Sequence, residues 1–350
     1  MLPLITPPES VCLLRLSAIG DTCHVVPLLR TLQRAWPTTR FTWIIGRAEA
    51  RLMTLLPDVE FITVDKRAGF AGLKALRAAL RGRQFDVMFH LQLSVRASAV
   101  AALVPARVKL GFDRDRAREL QWLVTNARIA PRSREHVLDS FMGFAEAAGV
   151  SQRVLEWNVP LPLDAIDYAK RLIPDDAPRT LVISPCSSHA RRNWLPERYA
   201  AVARHAIDTH GMQVILTGGP SDIEKTMARA IVADCPAVID QVGKDTLPQL
   251  LAVLARAAVL LAPDTGPTHM ATMVGTPVIG LYAATNPARS GPYLSRRWCI
   301  DAFPRAAAQF RHRPPEALPW ATKIEEPGVM ALIEVGEVCN QLDALLASQS

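Results

Sequence analysis

The octet Asp264-Thr265-Gly266-Pro267-Thr268-His269-Met270-Ala271 follows an apolar run over 257–262 and opens a segment with helical spacing. That junction is where α/β proteins hold phosphates. Pro267 suits a first helical turn, where a missing N–H costs nothing, and Asp264, Thr265 or Thr268 can cap the donors behind it. Donors left uncapped attract anions together with the helix dipole. A plain helix start would use the same residue types, so the anion reading depends on what else the chain carries.

Three further constellations bear on it. Leu16-Ser17-Ala18-Ile19-Gly20-Asp21 places a carboxylate just after the first apolar run; Asp21 there can serve as a general base or as the N-cap of the helix that follows. Ser184-Pro185-Cys186-Ser187-Ser188-His189-Ala190-Arg191-Arg192-Asn193-Trp194 follows another apolar run. Ser187 and Ser188 can donate to a phosphate and Arg192 can grip one bidentately, while Trp194 reads as an anchor for the next helix. In Leu216-Thr217-Gly218-Gly219-Pro220-Ser221-Asp222 the two glycines bring backbone close to a ligand and Asp222 can hold ribose hydroxyls. Gly-Gly-Pro is equally ordinary turn chemistry.

Several chemistries are absent from the chain. It has no G-x-G-x-x-G dinucleotide fingerprint, P-loop, G-x-S-x-G elbow or acidic cluster resembling a dedicated metal site. The six cysteines are scattered, with no C-x-x-C pair and no histidine at zinc-finger spacing. They read as reduced thiols used as small apolar residues, and Cys186 lacks an activating base.

The elements that must position these residues alternate. Strands are expected over 11–17, 41–45, 61–64 and 86–92, with helices over 25–35, 49–56, 72–82 and 95–103. The pattern loosens over 109–134 before a helix over 136–148. A second series follows: strands over 180–184, 213–217, 238–240, 257–262 and 277–282, separated by helices over 196–209, 222–233, 247–256 and 266–274. Such alternation predicts parallel sheets covered on both faces. At 350 residues the chain exceeds one core, so two doubly wound, Rossmann-like domains are expected: 1–165, a proline-marked linker over 166–178, and 179–325. The last helix, within 326–350, is expected to pack back on the first domain. Ligands bind at strand C-termini in such sheets, and all four constellations fall there, facing a cleft between the domains.

With 49% hydrophobic and 21% charged residues the chain is globular. The net charge of +7 sits wholly in residues 1–165, with 22 Lys and Arg against 15 Asp and Glu; residues 166–350 carry 18 of each. That asymmetry suits either a solvated basic face or an anionic partner. No run approaches a membrane span, and residues 1–10, with three prolines and no basic region, read as a short disordered lead-in to a cytoplasmic protein rather than a signal peptide.

Taken in order and spacing over residues 11–285, these loops resemble the bacterial ADP-heptose:lipopolysaccharide heptosyltransferases, inverting glycosyltransferases of the GT-B type. Asp-Thr-Gly-Pro-Thr-His-Met-Ala is the most specific element, Ser-Ala-Ile-Gly-Asp the second, and His136 matches a further position. Within that group the chain looks closest to heptosyltransferase I. The resemblance implies transfer of heptose from ADP-heptose to a hydroxyl of Kdo on lipid A. Asp21 would be the base, and Arg192 with the Gly266 helix N-terminus would stabilise departing ADP without a metal or cofactor. Ser187, Ser188, Asp264, Thr265, Gly266, Thr268 and His269 would line the phosphates and sugar, with Asp222 toward the ribose. Two features depart from the family: Arg192 with one extra residue before Pro196 where relatives have Lys and x-Trp-Pro, and the unmatched stretch after Tyr282 with Arg289, Arg296 and Arg297. An anionic glycolipid acceptor at the inner leaflet fits the charge asymmetry, with Lys66, Arg67, Arg96, Arg114, Arg116 and Arg118 as candidate contacts; no nucleic acid is implied. The alternatives are another nucleotide-sugar transferase or epimerase of this fold, or a non-catalytic regulator that keeps the nucleotide pocket.

Overall fold

In the computed structural model, which describes residues 2–349, the chain divides after Pro160 into two compact units. The first contains β1 (Ser10–Leu14), β2 (Arg40–Gly46), β3 (Val59–Val64), β4 (Phe85–His90), β5 (Ala106–Gly111) and β6 (Ala127–Arg128), ordered β3-β2-β1-β4-β5-β6. The second contains β7 (Thr180–Ile183), β8 (Gln213–Leu216), β9 (Ile239–Asp240), β10 (Val259–Pro263), β11 (Val278–Tyr282) and β12 (Ile300–Asp301), ordered β12-β11-β10-β7-β8-β9. Every pairing in both sheets is parallel. The central strands are buried along their whole length, as β1, β7, β10 and β11 are, because helices cover both faces; their sequences are accordingly unbroken apolar runs.

Each sheet has its topological switch point beside its first strand, at β1/β4 and at β10/β7. Loops leaving the C-terminal ends of those strands diverge to opposite faces, so each pair of ends opens a crevice. The Asp21 loop leaves β1, while the Ser187 and Asp264 loops leave β7 and β10.

The structure departs from the sequence reading at several places. The loosened passage over 109–134 holds the end of β5, the short helix Gln121–Val124 and β6, the last only Ala127–Arg128; a two-residue edge strand has no period to read. The expected linker is largely the helix Leu163–Leu172, which belongs to the second unit and packs on the helix Leu247–Arg256. The terminal helix Val335–Ala347 is part of the second unit. It packs on the helix Pro196–His210, and Val338, Leu342, Leu345 and Leu346 enter the second unit's core. The lead-in is ordered: the Leu4 amide donates to Ala148 O at 3.2 Å, and the Thr39 hydroxyl to Pro8 O at 2.6 Å. No helix among the described residues is long and apolar enough to cross a membrane.

Candidate active site

In the second unit β10, β7 and β8 are neighbours, so the Asp264, Ser187 and Gly218 loops stand side by side at one sheet edge. The first two are joined directly, since the Thr265 hydroxyl donates to Cys186 O at 3.1 Å. That bond removes Thr265 from capping. Thr265 is the N-cap of the helix Gly266–Met273, yet its side chain makes no capping hydrogen bond. The Gly266 amide at that end can therefore meet an anion, with the positive end of the dipole behind it. Thr268 is fully buried and its hydroxyl donates to Pro263 O at 2.8 Å, so its side chain braces the turn. Asp264 does not cap either: it accepts from Ser290 Oγ at 3.3 Å, and His269 Nε2 lies 4.0 Å from its other oxygen. Asp264, Thr265 and Gly266 remain half-buried at the rim, while His269 is buried behind them.

Arg192 is fixed by a residue that sequence reading missed. Its Nε and Nη2 both reach Glu325 Oε1, at 2.8 and 2.5 Å, and His189 Nε2 lies 3.6 Å from the other carboxylate oxygen. Burial works to raise the Glu325 carboxyl, but the Arg192 hydrogen bonds, with the charges of Arg192, His189 and Lys323, hold it below its ordinary value. Glu325 lies 133 residues from Arg192 in a stretch without periodicity, and only the fold pairs them. Ser188 is exposed, whereas Ser187 is half-buried, its amide donating to Asn193 Oδ1 at 2.8 Å and its hydroxyl to His189 O at 3.1 Å. Trp194 is the anchor expected of it: buried, donating through Nε1 to Ile333 O at 3.1 Å and edge-on to Tyr199. Burial pushes the Cys186 thiol up to about 12, which keeps it protonated and rules it out as a nucleophile.

At the third loop the engaged carboxylate is Glu224 rather than Asp222. Ser221 caps the helix Asp222–Asp234, and Glu224 reaches back to the Gly219 amide at 2.6 Å. Asp222 is exposed at the first helical position. A Cβ on Gly219 would come within 2.9 Å of Glu224 Oε2, so a larger residue there would push that carboxylate off the Gly219 amide.

In the first unit the helix starts at Ile19, earlier than expected, and Asp21 is its third residue rather than its N-cap. Its carboxylate accepts from the Ala18 amide at 3.4 Å and forms an ion pair with Arg15. The Asp21 side chain remains one-third exposed, against 12% for Arg15. Arg15 is held from the other side by Leu91 O and lies 5.5 Å over the Phe141 ring. Gln92, at the end of β4, closes the crevice floor by accepting from the Leu16 and Ser17 amides at 2.7 and 3.2 Å. His136 is buried; its Nδ1 caps the helix Val137–Ala147 and its ring meets His24 edge-on.

The six basic candidates separate into two kinds. Arg116 is committed internally, to Asp113, to Glu135 at 2.9 Å and to Ser140 at 3.0 Å. Lys66 is paired at 2.7 Å with the buried Glu49, beneath Gly46, where a Cβ would strike Leu16 O and Lys66 Cε at 2.4 and 2.5 Å. These two cations compensate buried carboxylates, the requirement that keeps a buried charge tolerable. Arg67, Arg96, Arg114 and Arg118 are exposed, with no side-chain ion pair or hydrogen bond among the described residues. All four lie on loops or first turns after β3, β4 and β5, at the same sheet edge as Asp21.

Residues 73–320 match the family model described as glycosyltransferase family 9 (heptosyltransferase). The lipopolysaccharide core heptosyltransferase OpsX of Haemophilus influenzae is 39% identical over 98% of this chain and 99% of its own. A lipopolysaccharide heptosyltransferase 1 of Escherichia coli K12 is 25% identical over 81% and 90%. Among solved structures, the family 9 glycosyl transferase of Veillonella parvula superposes with a TM-score of 0.78 at 20% identity, covering 97% of each chain. E. coli heptosyltransferase WaaC with ADP gives 0.74 at 21%, covering 96% of this chain and 99% of that one. The two parallel sheets are therefore those of the GT-B heptosyltransferase fold, and the chain belongs to glycosyltransferase family 9, the heptosyltransferases.

Proposed function

We propose that this glycosyltransferase moves heptose from ADP-heptose to a Kdo hydroxyl of the lipopolysaccharide inner core. The observation that carries the reading is the second unit's sheet edge, where a helix N-terminus left uncapped by its own Thr265 stands beside the loop holding Arg192. A diphosphate needs both parts: oriented N–H donors and a cation. In the proposed reaction the acceptor oxygen attacks the anomeric carbon from the face opposite ADP, and the bond to the β-phosphate oxygen breaks with its electron pair leaving on ADP. Asp21 takes the hydroxyl proton as that bond forms. Arg192 and the Gly266 amide stabilise the charge on the departing diphosphate, an electrostatic role that needs no reorganisation because Glu325 already orients the guanidinium. Ser187 and Ser188 meet phosphate oxygens, Asp264 and His269 the sugar, and Glu224 or Asp222 the ribose.

Arg67, Arg96, Arg114 and Arg118 then receive the anionic glycolipid and hold the protein at the membrane surface, where each basic residue near anionic lipid contributes about 1 kcal/mol. Phe70 and Trp122, 91% and 54% exposed, lie among them in sequence and suit a lipid boundary.

The test is turnover of purified protein with ADP-heptose or UDP-sugars and Kdo-lipid A, read as nucleotide release and product mass. Transfer from ADP-heptose is expected, and its loss in Asp21→Asn with unchanged ADP binding. Transfer only from UDP-sugars would overturn the donor, and undiminished turnover by Asp21→Asn would overturn the base.

A further inference from the structure

We propose that His205, His210 and Asp343, away from the sugar-transfer residues, form a binding site for a divalent transition-metal ion of the zinc class that clamps the C-terminal helix to the second unit. His205 and His210 lie on the helix Pro196–His210, and Asp343 on the helix Val335–Ala347. Both imidazoles aim Nε2 at the same carboxylate oxygen, with Asp343 Oδ1 2.7 Å from His205 and 2.6 Å from His210. The three ligand atoms all lie within 4.8 Å of one another, and the rings stand edge to face with centroids 5.5 Å apart. Two imidazole nitrogens and one carboxylate oxygen are the donor set of a zinc site with an open position.

The surroundings favour a cation. His210 is the last residue of its helix and Asp343 lies in the closing turns of its own, so the negative ends of two helix dipoles converge on the site. The Thr209 hydroxyl lies 3.4 Å from His205 Nδ1, on the side away from the carboxylate, where an outer partner fixes a ligating ring. A surface cavity of about 260 Å³ bordered by His210, Asp343, Arg179 and Met212 leaves room for water at the open position. The Arg179 guanidinium, which borders that cavity, is engaged by Gln349.

Ligand atoms around tetrahedral zinc stand about 3.3 Å apart, given bonds of roughly 2.0–2.1 Å. The present spacing is that of hydrogen bonds to Asp343 Oδ1, so metal entry requires that oxygen to withdraw and the two Nε2 atoms to settle at zinc spacing, side-chain adjustments at a site whose carboxylate is 41% exposed. A metal-free clasp would explain the contact between the helices, but it gives no reason for both nitrogens to converge on one oxygen while no hydrogen bond reaches the other among the described residues.

The experiment uses the full chain after chelator treatment, titrated with Zn²⁺ and separately with Co²⁺. One Zn²⁺ per chain should bind and raise the melting temperature, and Co²⁺ should give visible absorption of a site with nitrogen and oxygen ligands only. Asp343→Asn and the double substitution His205→Ala/His210→Ala should each weaken Zn²⁺ binding by at least about tenfold. Equal Zn²⁺ affinity in all three proteins, or no thermal shift in the unsubstituted chain, would overturn the site. Thiolate charge-transfer bands with Co²⁺ would overturn it without any variant, because they would place the ion on the free cysteines.

Discussion

In the proposed reaction a single side chain, Arg192, carries the donor half of the chemistry. A guanidinium that already makes two hydrogen bonds to one carboxylate oxygen keeps its other donors aligned for an incoming phosphate. Charge-assisted hydrogen bonds are worth about 1.5–3 kcal/mol, so Arg192→Ala should weaken ADP binding by about ten- to a hundredfold in calorimetry. Arg192→Lys should fall between the two, since a lysine cannot keep the Nε contact to Glu325 while reaching a phosphate. A second residue-scale expectation concerns Asp245, whose carboxyl is pushed up to about 6, first by burial and then by the Glu224 charge, against the hydrogen bond from its own backbone. With the folded value above the unfolded one, the folded state binds the extra proton. Its contribution to stability is present below pH 4 and is lost as pH rises through 6. Asp245→Asn should therefore be more stable than the parent at pH 8, by up to about 3 kcal/mol, and level with it near pH 4 in urea unfolding. An unchanged difference across that range would remove the buried charge as the cause.

The helix Val335–Ala347 is an argument at the scale of an element. Its apolar face supplies Val338, Leu342, Leu345 and Leu346 to the same core as β7, β8, β10 and β11, so it is a structural member of the second unit. Leu342 is fully buried, and Leu342→Ala should cost about 2–5 kcal/mol, seen as a lower melting temperature accompanied by weaker ADP binding. The amphipathic pattern of this helix was legible in the sequence, but its partner was not: any apolar surface satisfies such a stripe, and docking is decided by shape complementarity among residues far apart in the chain. The same distinction runs through the site. The strand-to-helix junctions at Asp21, Ser187, Gly218 and Asp264 announced themselves by glycine, proline and small polar residues after apolar runs, and they stand at the C-terminal ends of their strands. What escaped notice were the partners of these loops. Glu325, Gln92 and Arg15 carry no spacing signal, and Arg116 and Lys66 look like any exposed cation until Asp113, Glu135 and Glu49 are folded against them.

At the scale of the whole molecule the chain is electrically lopsided, with its excess charge of +7 confined to residues 1–165. With Arg116 and Lys66 paired internally, Arg67, Arg96, Arg114 and Arg118 are the exposed members of that excess at the C-terminal edge of the first sheet. Exposed Phe70, Leu120, Trp122 and Leu123 occupy neighbouring turns, and exposed aromatic groups beside cations fit the boundary between anionic headgroups and acyl chains. A protein held in this way should float with vesicles containing anionic phospholipid at low salt, and salt should release it, because surface charges are screened beyond a Debye length of about 8 Å at physiological ionic strength. Replacing Arg67, Arg96, Arg114 and Arg118 together by Gln should weaken flotation by roughly 4 kcal/mol, close to a thousandfold. Phe70→Ser with Trp122→Ser should lower it while leaving its salt dependence in place. Both variants should keep the parent's ADP affinity, since the donor loops lie in the other unit. Flotation of the arginine-depleted protein equal to the parent's would show that the basic edge does not meet the membrane.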